Sequence, residues 1–113
     1  MSGDSSCEFL SAAESARRVK TGEVSAEQLT REALGRAYAA SSLNAFVSLF
    51  DDEAIVQARA IDARIAEGKE VGVLAGVPIA LKDNICLNYG RTTCGSRFLE
   101  NYESPYTATA AQR

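Results

Sequence analysis

The sequence predicts an α/β protein, with helices first and the opening strands of a mixed sheet after them, and two observations carry that expectation. Residues 5–68 place apolar side chains at helical spacing, broken by capping residues and glycines. After Gly68 the texture changes to "EVGVLAGVPIALKDNI", rich in valine, isoleucine, leucine and glycine, with a proline that argues against helix in its middle. Residues 1–113 therefore read as one portion of a single domain. It is helical over about 5–68, and it begins a sheet and a lysine loop over about 69–113.

Ser5 and Glu8 have the spacing of a capping box, in which each side chain satisfies an unpaired amide at a helix start. Leu10, Ala13, Ala16 and, with one offset, Val19 and Lys20 follow one helical face, and Gly22 is placed to stop it. A second box opens with Ser25 and Gln28. Leu29, Ala33, Ala37 and Tyr38 then trace an apolar face that ends near Ser41 and Ser42. "LNAFVSLF", residues 43–50, is short, apolar and aromatic, which suits a strand or an extended connector. Asp51 is expected to cap a third helix, with Ala54, Ile55, Ala58, Ile61 and Ile65 facing inward and Arg59, Asp62 and Arg64 on the wet side. The Asp51-Asp52-Glu53 triplet is explained by the helix start and its dipole. No chemistry is assigned to these helices; their alanines and charges are scaffold.

Two short extended segments are expected at Val71–Leu74 and Val77–Leu81. Pro78 lacks an amide hydrogen, so it belongs at a strand's beginning or on an edge. Beyond residue 85 the chain reads as a loop with a glycine-containing turn, a short helix near Arg97–Tyr102, and another helix starting after Ser104 and Pro105. Ala108, Ala110 and Ala111 set up that last helix, which reaches Arg113 without a visible end. The chain is thus expected to be a truncated portion of a longer domain.

Composition removes several functions. Twelve basic against fifteen acidic residues give a net charge of −3 with no basic stripe, so nothing advertises phosphate-backbone binding. Three cysteines, Cys7, Cys86 and Cys94, are too few and too oddly spaced for a disulfide framework or a zinc site. The chain has no histidine, which excludes Ser-His-Asp and Cys-His catalysis within it. "GVLAGVPIALK" lacks the spacing of a phosphate loop. No stretch has the length of a membrane helix, and no basic leader precedes Arg17, which suits a cytoplasmic product.

With imidazole gone, lysine becomes the leading base. Lys82 closes the apolar run "GVPIALKDNI", and lysine is rarely found fully buried. Either the strand surfaces there and the ammonium stands in water, or a partly desolvated amine loses its proton readily enough to act as a base. Asp83 and Asn84 follow. A carboxylate and a carboxamide just after a strand commonly satisfy turn amides, and the same groups have the reach to orient Lys82. The hydroxyls of Thr92, Thr93 and Ser96 are read as bracing their loop.

"GVPIALKDNI" followed by "TTCGSRFLENY" resembles the amidase signature family, most of all its tRNA-dependent amidotransferase branch. The resemblance covers most of the chain, and the lysine strand with the Thr-Thr-Cys-Gly-Ser loop is its specific part. It implies a Ser–cis-Ser–Lys triad in which the family's lysine falls on Lys82. No glycine- and serine-rich segment that could carry the two family serines occurs in residues 1–113. Ser96 matches a family loop position that is not the nucleophile. The resemblance implies glutamine hydrolysis that supplies ammonia for transamidation of misacylated Glu-tRNA(Gln) or Asp-tRNA(Asn). It also implies B and C partner subunits. ATP and magnesium would belong to the B partner, with no cofactor or metal in this chain. Two alternatives stand beside it: another hydrolase of the family acting on a different amide, and a non-catalytic helical docking fragment.

Overall fold

A computed structural model describes residues 10–113, which fall into two compact units. One runs up to Ala40 and resumes over Asp51–Pro78; the other comprises Ser41–Phe50 and Ile79–Arg113. The capping box expected at Ser5 and Glu8 lies outside the described residues, as does Cys7.

The first unit is built from three helices: α1 (Ala12–Thr21), α2 (Ala26–Ala39) and α3 (Asp51–Ala66). Ser11 starts α1 by accepting from the Glu14 amide, and Gly22 closes it with amides returned to Arg18 and Val19. Ala16 and Val19 are the buried face, whereas Ala13 and Lys20 are exposed. Ser25 caps α2 through the Gln28 amide, as its spacing predicts, but the Gln28 side chain turns to Glu32 rather than back to the cap. The core gathers Val19, Ala26 and Ala58, with Val24, Leu29, Ile61 and Ile65 packed against it.

Two helix expectations are corrected. Asp62 is not on the wet side of α3. Its carboxylate accepts from the amides of Ala26 at 2.7 Å and Glu27 at 3.1 Å, so it caps α2 from 35 and 36 residues away. The first turn of a helix carries unpaired amides and partial positive charge, which a carboxylate satisfies directly. Asp51 is the first residue of α3, and its carboxylate receives the Tyr38 hydroxyl at 2.7 Å and 2.9 Å. That hydroxyl explains why Tyr38 sits at an exposed edge rather than in the core.

Asp62 supports a stability prediction. The residue whose amide it takes, Ala26, is fully buried. Asp62→Ala would leave that amide without a partner, at a cost of about 1–3 kcal/mol. Asp62→Asn retains one acceptor oxygen and should cost less. Denaturant midpoints of the complete protein give the measurement; equal midpoints for Asp62→Ala and the parent would show that Ser25 caps α2 sufficiently alone.

No strand occurs among the described residues, so the mixed sheet is not formed by them. Val71–Leu74 is not extended. Ala75 bonds back to Gly72 at 3.2 Å and Val77 to Leu74 at 3.1 Å, which makes two successive turns. Gly76 seats this turn on the helices with φ +84°, and a Cβ there would lie 2.8 Å from Val19 Cγ1 and 3.1 Å from the Ala26 Cβ. Only glycine fits both that backbone and that contact. Val77–Leu81 lies outside helix and outside any ladder, with Ile79 69% exposed. A strand is made by its neighbours' hydrogen bonds, and none of the described residues forms a ladder with this stretch.

In the second unit, residues 43–50 are an irregular connector entered through a 3₁₀ turn at Ser41–Leu43, not a strand. Phe50 stacks edge-on against Tyr89 at 5.1 Å and covers Gly90, where a Cβ would collide with its ring. The helix expected near Arg97–Tyr102 is a 3₁₀ turn over Arg97–Leu99, and α4 (Thr109–Gln112) begins later than Pro105. Ser104 delays it by exchanging two hydrogen bonds with the Tyr106 backbone. No helix among the described residues is long and apolar enough to cross a membrane.

Candidate functional site

Lys82, Asp83 and Asn84 lie in the second unit, in a tight turn closed by the Ile85 amide donating to the Lys82 carbonyl at 3.0 Å. The Lys82 side chain is exposed, so the partial burial expected of a lysine base is not supplied by the described residues. Asn84 is exposed as well. The three residues are brought together only by being consecutive, and it is Asp83 that reaches elsewhere.

Asp83 does not serve the amides of its own turn. Its carboxylate accepts from the Thr93 amide at 3.1 Å and from the Thr93 hydroxyl, and its carbonyl accepts from the Cys94 amide at 3.2 Å. The Thr93 hydroxyl holds the Asp83 carboxyl below the usual carboxylate range; burial opposes this, and the amides of Thr93, Gly95 and Cys94 assist it. A carboxyl depressed on folding stabilises the fold above its ordinary titration range, and that contribution is lost as pH falls through the depressed value.

The loop on the far side is fully committed. Thr93 Oγ1 accepts from the Gly95 amide at 3.2 Å while donating to Asp83, and the Ser96 amide donates to the Thr93 carbonyl at 2.8 Å. The amides of residues 93–96 are therefore all engaged within the unit, and none is left pointing at an oxyanion. Cys94 adopts φ +53°, uncommon for a residue with a side chain, next to Gly95 at φ +71°. Ser96 accepts from the Phe98 amide and caps the 3₁₀ turn, which is a structural role. Buried Thr92 ties the other side of the loop to the Tyr102 carbonyl at 3.1 Å. The bracing expected of these hydroxyls is present in Thr93 and Ser96.

Thr93 as the partner of Asp83 is what sequence reasoning missed. Both were singled out, but nothing in a ten-residue spacing across irregular chain says that they meet. Among the described residues, no group of three or more Cys, Asp or Glu side chains converges as metal ligands would. Cys86 and Cys94 are free thiols, the first against the Tyr106 hydroxyl at 3.8 Å. Shallow hollows lined by Ser25, Gln28 and Arg31, and by Ile61, Arg64 and Glu70, involve none of the candidate residues.

Comparison with known proteins bears on this geometry. The sequence model of the amidase family matches residues 28–113. The A subunit of glutamyl-tRNA(Gln) amidotransferase from Deinococcus radiodurans is 53% identical over 105 residues, 93% of this chain and 21% of the relative. The protein of the same name from Pseudomonas aeruginosa (strain LESB58) is 49% identical over 105 residues, 92% of this chain and 22% of the relative. That of Synechococcus sp. (strain JA-3-3Ab) is 46% identical over 98 residues, 86% of this chain and 19% of the relative. The chain thus spans about a fifth of the length of these curated relatives. A solved structure, described as a vestigial protein complex revealing the evolutionary origins of an s-triazine catabolic enzyme, superposes with a TM-score of 0.87 and 30% identity. That match covers 91% of this chain and 23% of the other.

Proposed function

Because the chain belongs to the amidase family, we propose that it is the lysine-bearing portion of a glutamine-hydrolysing amidotransferase. The observation that carries this reading is the near-complete coverage of the chain by relatives of that name at about half identity, with Lys82 and its supporting loop inside the matched region. In the complete enzyme, Lys82 is the base of the triad. Two serines supplied from outside residues 1–113 complete it, one bridging and one nucleophilic.

The chemistry follows from those roles. The nucleophilic serine attacks the amide carbon of glutamine, and its proton passes through the bridging serine to the neutral Lys82 amine. The protonated lysine returns the proton to the leaving nitrogen, ammonia departs, and water cleaves the acyl-enzyme to glutamate. An amine must be neutral part of the time to do this, which requires more cover than the described residues give. We assign that cover to the rest of the domain, where Val77–Leu81 joins the mixed sheet and the exposed side chains of Ile79 and Leu81 are buried. The ammonia serves transamidation of Glu-tRNA(Gln) or Asp-tRNA(Asn) in a cytoplasmic complex with B and C subunits, of which the B partner holds ATP and magnesium.

The likeness to a structure concerned with s-triazine catabolism favours a second reading, an amidase with another amide substrate, but at the lower identity of 30%. Expressing the complete enzyme with its B and C partners separates the two. Co-purification, with glutamine-dependent formation of Gln-tRNA(Gln) from Glu-tRNA(Gln), is the expected result. Hydrolysis of other amides by the enzyme without partners, with neither co-purification nor transamidation, would favour the second reading.

A further inference from the structure

We infer that Asp83 and Thr93 are positioning residues for Lys82, latching the turn that carries the lysine onto the loop of residues 93–96. The inference rests on the reading of Lys82 as the base and adds to it what holds that base in place. Three hydrogen bonds join the two segments, and all of them end on the residue directly after Lys82. They run from the Thr93 amide and hydroxyl to the Asp83 carboxylate, and from the Cys94 amide to the Asp83 carbonyl.

The usual alternative for an aspartate in a turn is to bond an amide two residues on. Here that duty is absent, because the turn is closed by its own backbone, from the Ile85 amide to the Lys82 carbonyl. The carboxylate is spent instead on a segment ten residues away. The receiving loop is itself rigidly specified. Its four amides are engaged, Thr92 anchors it to Tyr102, and Ser96 caps the 3₁₀ turn that follows. Backbone atoms of residues 82 and 83 are thereby fixed on both sides, while no hydrogen bond of the latch ends on the Lys82 side chain.

Thr93 is the pivot, since one hydroxyl both donates to Asp83 and accepts from Gly95. Valine at this position has nearly the same shape and can do neither. Serine can do both. The latch therefore predicts that Thr93→Val fails where Thr93→Ser succeeds, a contrast that side-chain volume alone does not produce.

The test uses four variants of the complete enzyme in its complex with the B and C partners: Thr93→Val, Thr93→Ser, Asp83→Asn and Lys82→Ala. A base displaced by roughly 1 Å costs about a hundredfold in rate, so Thr93→Val and Asp83→Asn should lower kcat for glutamine hydrolysis by about ten- to a hundredfold with KM little changed. The pH dependence of kcat should shift in those two variants and not in Thr93→Ser, whose turnover should approach the parent's. Transamidation driven by ammonium chloride bypasses glutamine hydrolysis and should survive in all four, reporting an intact complex. Parental kcat and pH profile in both Thr93→Val and Asp83→Asn, alongside a dead Lys82→Ala, would sink the latch and leave the base standing. Parental turnover in Lys82→Ala would instead sink the base, and the latch with it. Loss of the ammonium-driven reaction in Thr93→Val and Asp83→Asn would make the pair a folding element and overturn a positioning role.

Discussion

Lys82→Ala in the complete enzyme is expected to lower glutamine turnover by roughly a thousandfold or more, because the remaining members of a triad do little without their base. The same change should leave the fold largely intact. In this segment the Lys82 side chain is exposed and the turn beneath it is held by backbone and Asp83 contacts, none of which alanine removes. Arginine should not rescue turnover, since a guanidinium keeps its proton at any pH where the enzyme works. The measurement is steady-state glutamate release beside a thermal melt. Turnover near the parental value in either variant, with the melt unchanged, would remove Lys82 from the mechanism.

The helices were legible because their signals are local. Ser25 reads as a cap from its own spacing to Gln28, and Gly22 and Gly68 end α1 and α3 where the periodic pattern stops. Ala58, Ile61 and Ile65 face the core as their 3.6-residue period requires. Asp62 escaped because its partner is the start of another helix, and no property of α3 alone distinguishes a charge aimed at a neighbour from one aimed at water. The strands failed for the complementary reason. A helix bonds within itself, whereas a strand is made by a neighbour's hydrogen bonds, and Val77–Leu81 forms no ladder among the described residues. At 71–74 the two glycines flanking Val73-Leu74-Ala75 permitted turns that the apolar composition concealed.

The candidate site divides in the same way. Lys82 was reached by elimination, since a chain without histidine has few bases, and by likeness to a family whose model matches this region. The sequence left open whether that lysine surfaces into water or is partly desolvated, and among the described residues its side chain is exposed. Asp83 was read as either a turn residue or a support for Lys82. The structure rules out the local turn bond by showing where its oxygens go. Four engaged amides at 93–96 also answer a question that sequence cannot pose: whether a small-residue loop is an oxyanion site or a brace.

The 113-residue chain on its own is expected neither to hydrolyse glutamine nor to unfold cooperatively. On the proposed mechanism both triad serines lie outside residues 1–113, and residues that act as one catalytic unit do not contribute separately. The energetic half of the argument rests on what is buried. Among the described residues the buried hydrophobic side chains are Ala16, Val19, Ala26 and Ala58, and only one of them is larger than alanine. Phe98 at 98%, Val73 at 82% and Ile79 at 69% stand in water instead. Fully burying a valine or leucine contributes about 1.5–3 kcal/mol, while ordering each residue's backbone costs about 1–2 kcal/mol. So few buried side chains do not offset the ordering of two units. Residues 77–81, apolar and outside any ladder among the described residues, add a segment prone to associate with other chains. The isolated chain should therefore bind a hydrophobic dye, melt without a sharp transition and release no ammonia from glutamine. A cooperative melt without ammonia would overturn the folding half and favour a helical docking module. A cooperative melt with ammonia release would overturn both halves, because the chain would then hold a nucleophile and a core that its sequence does not disclose.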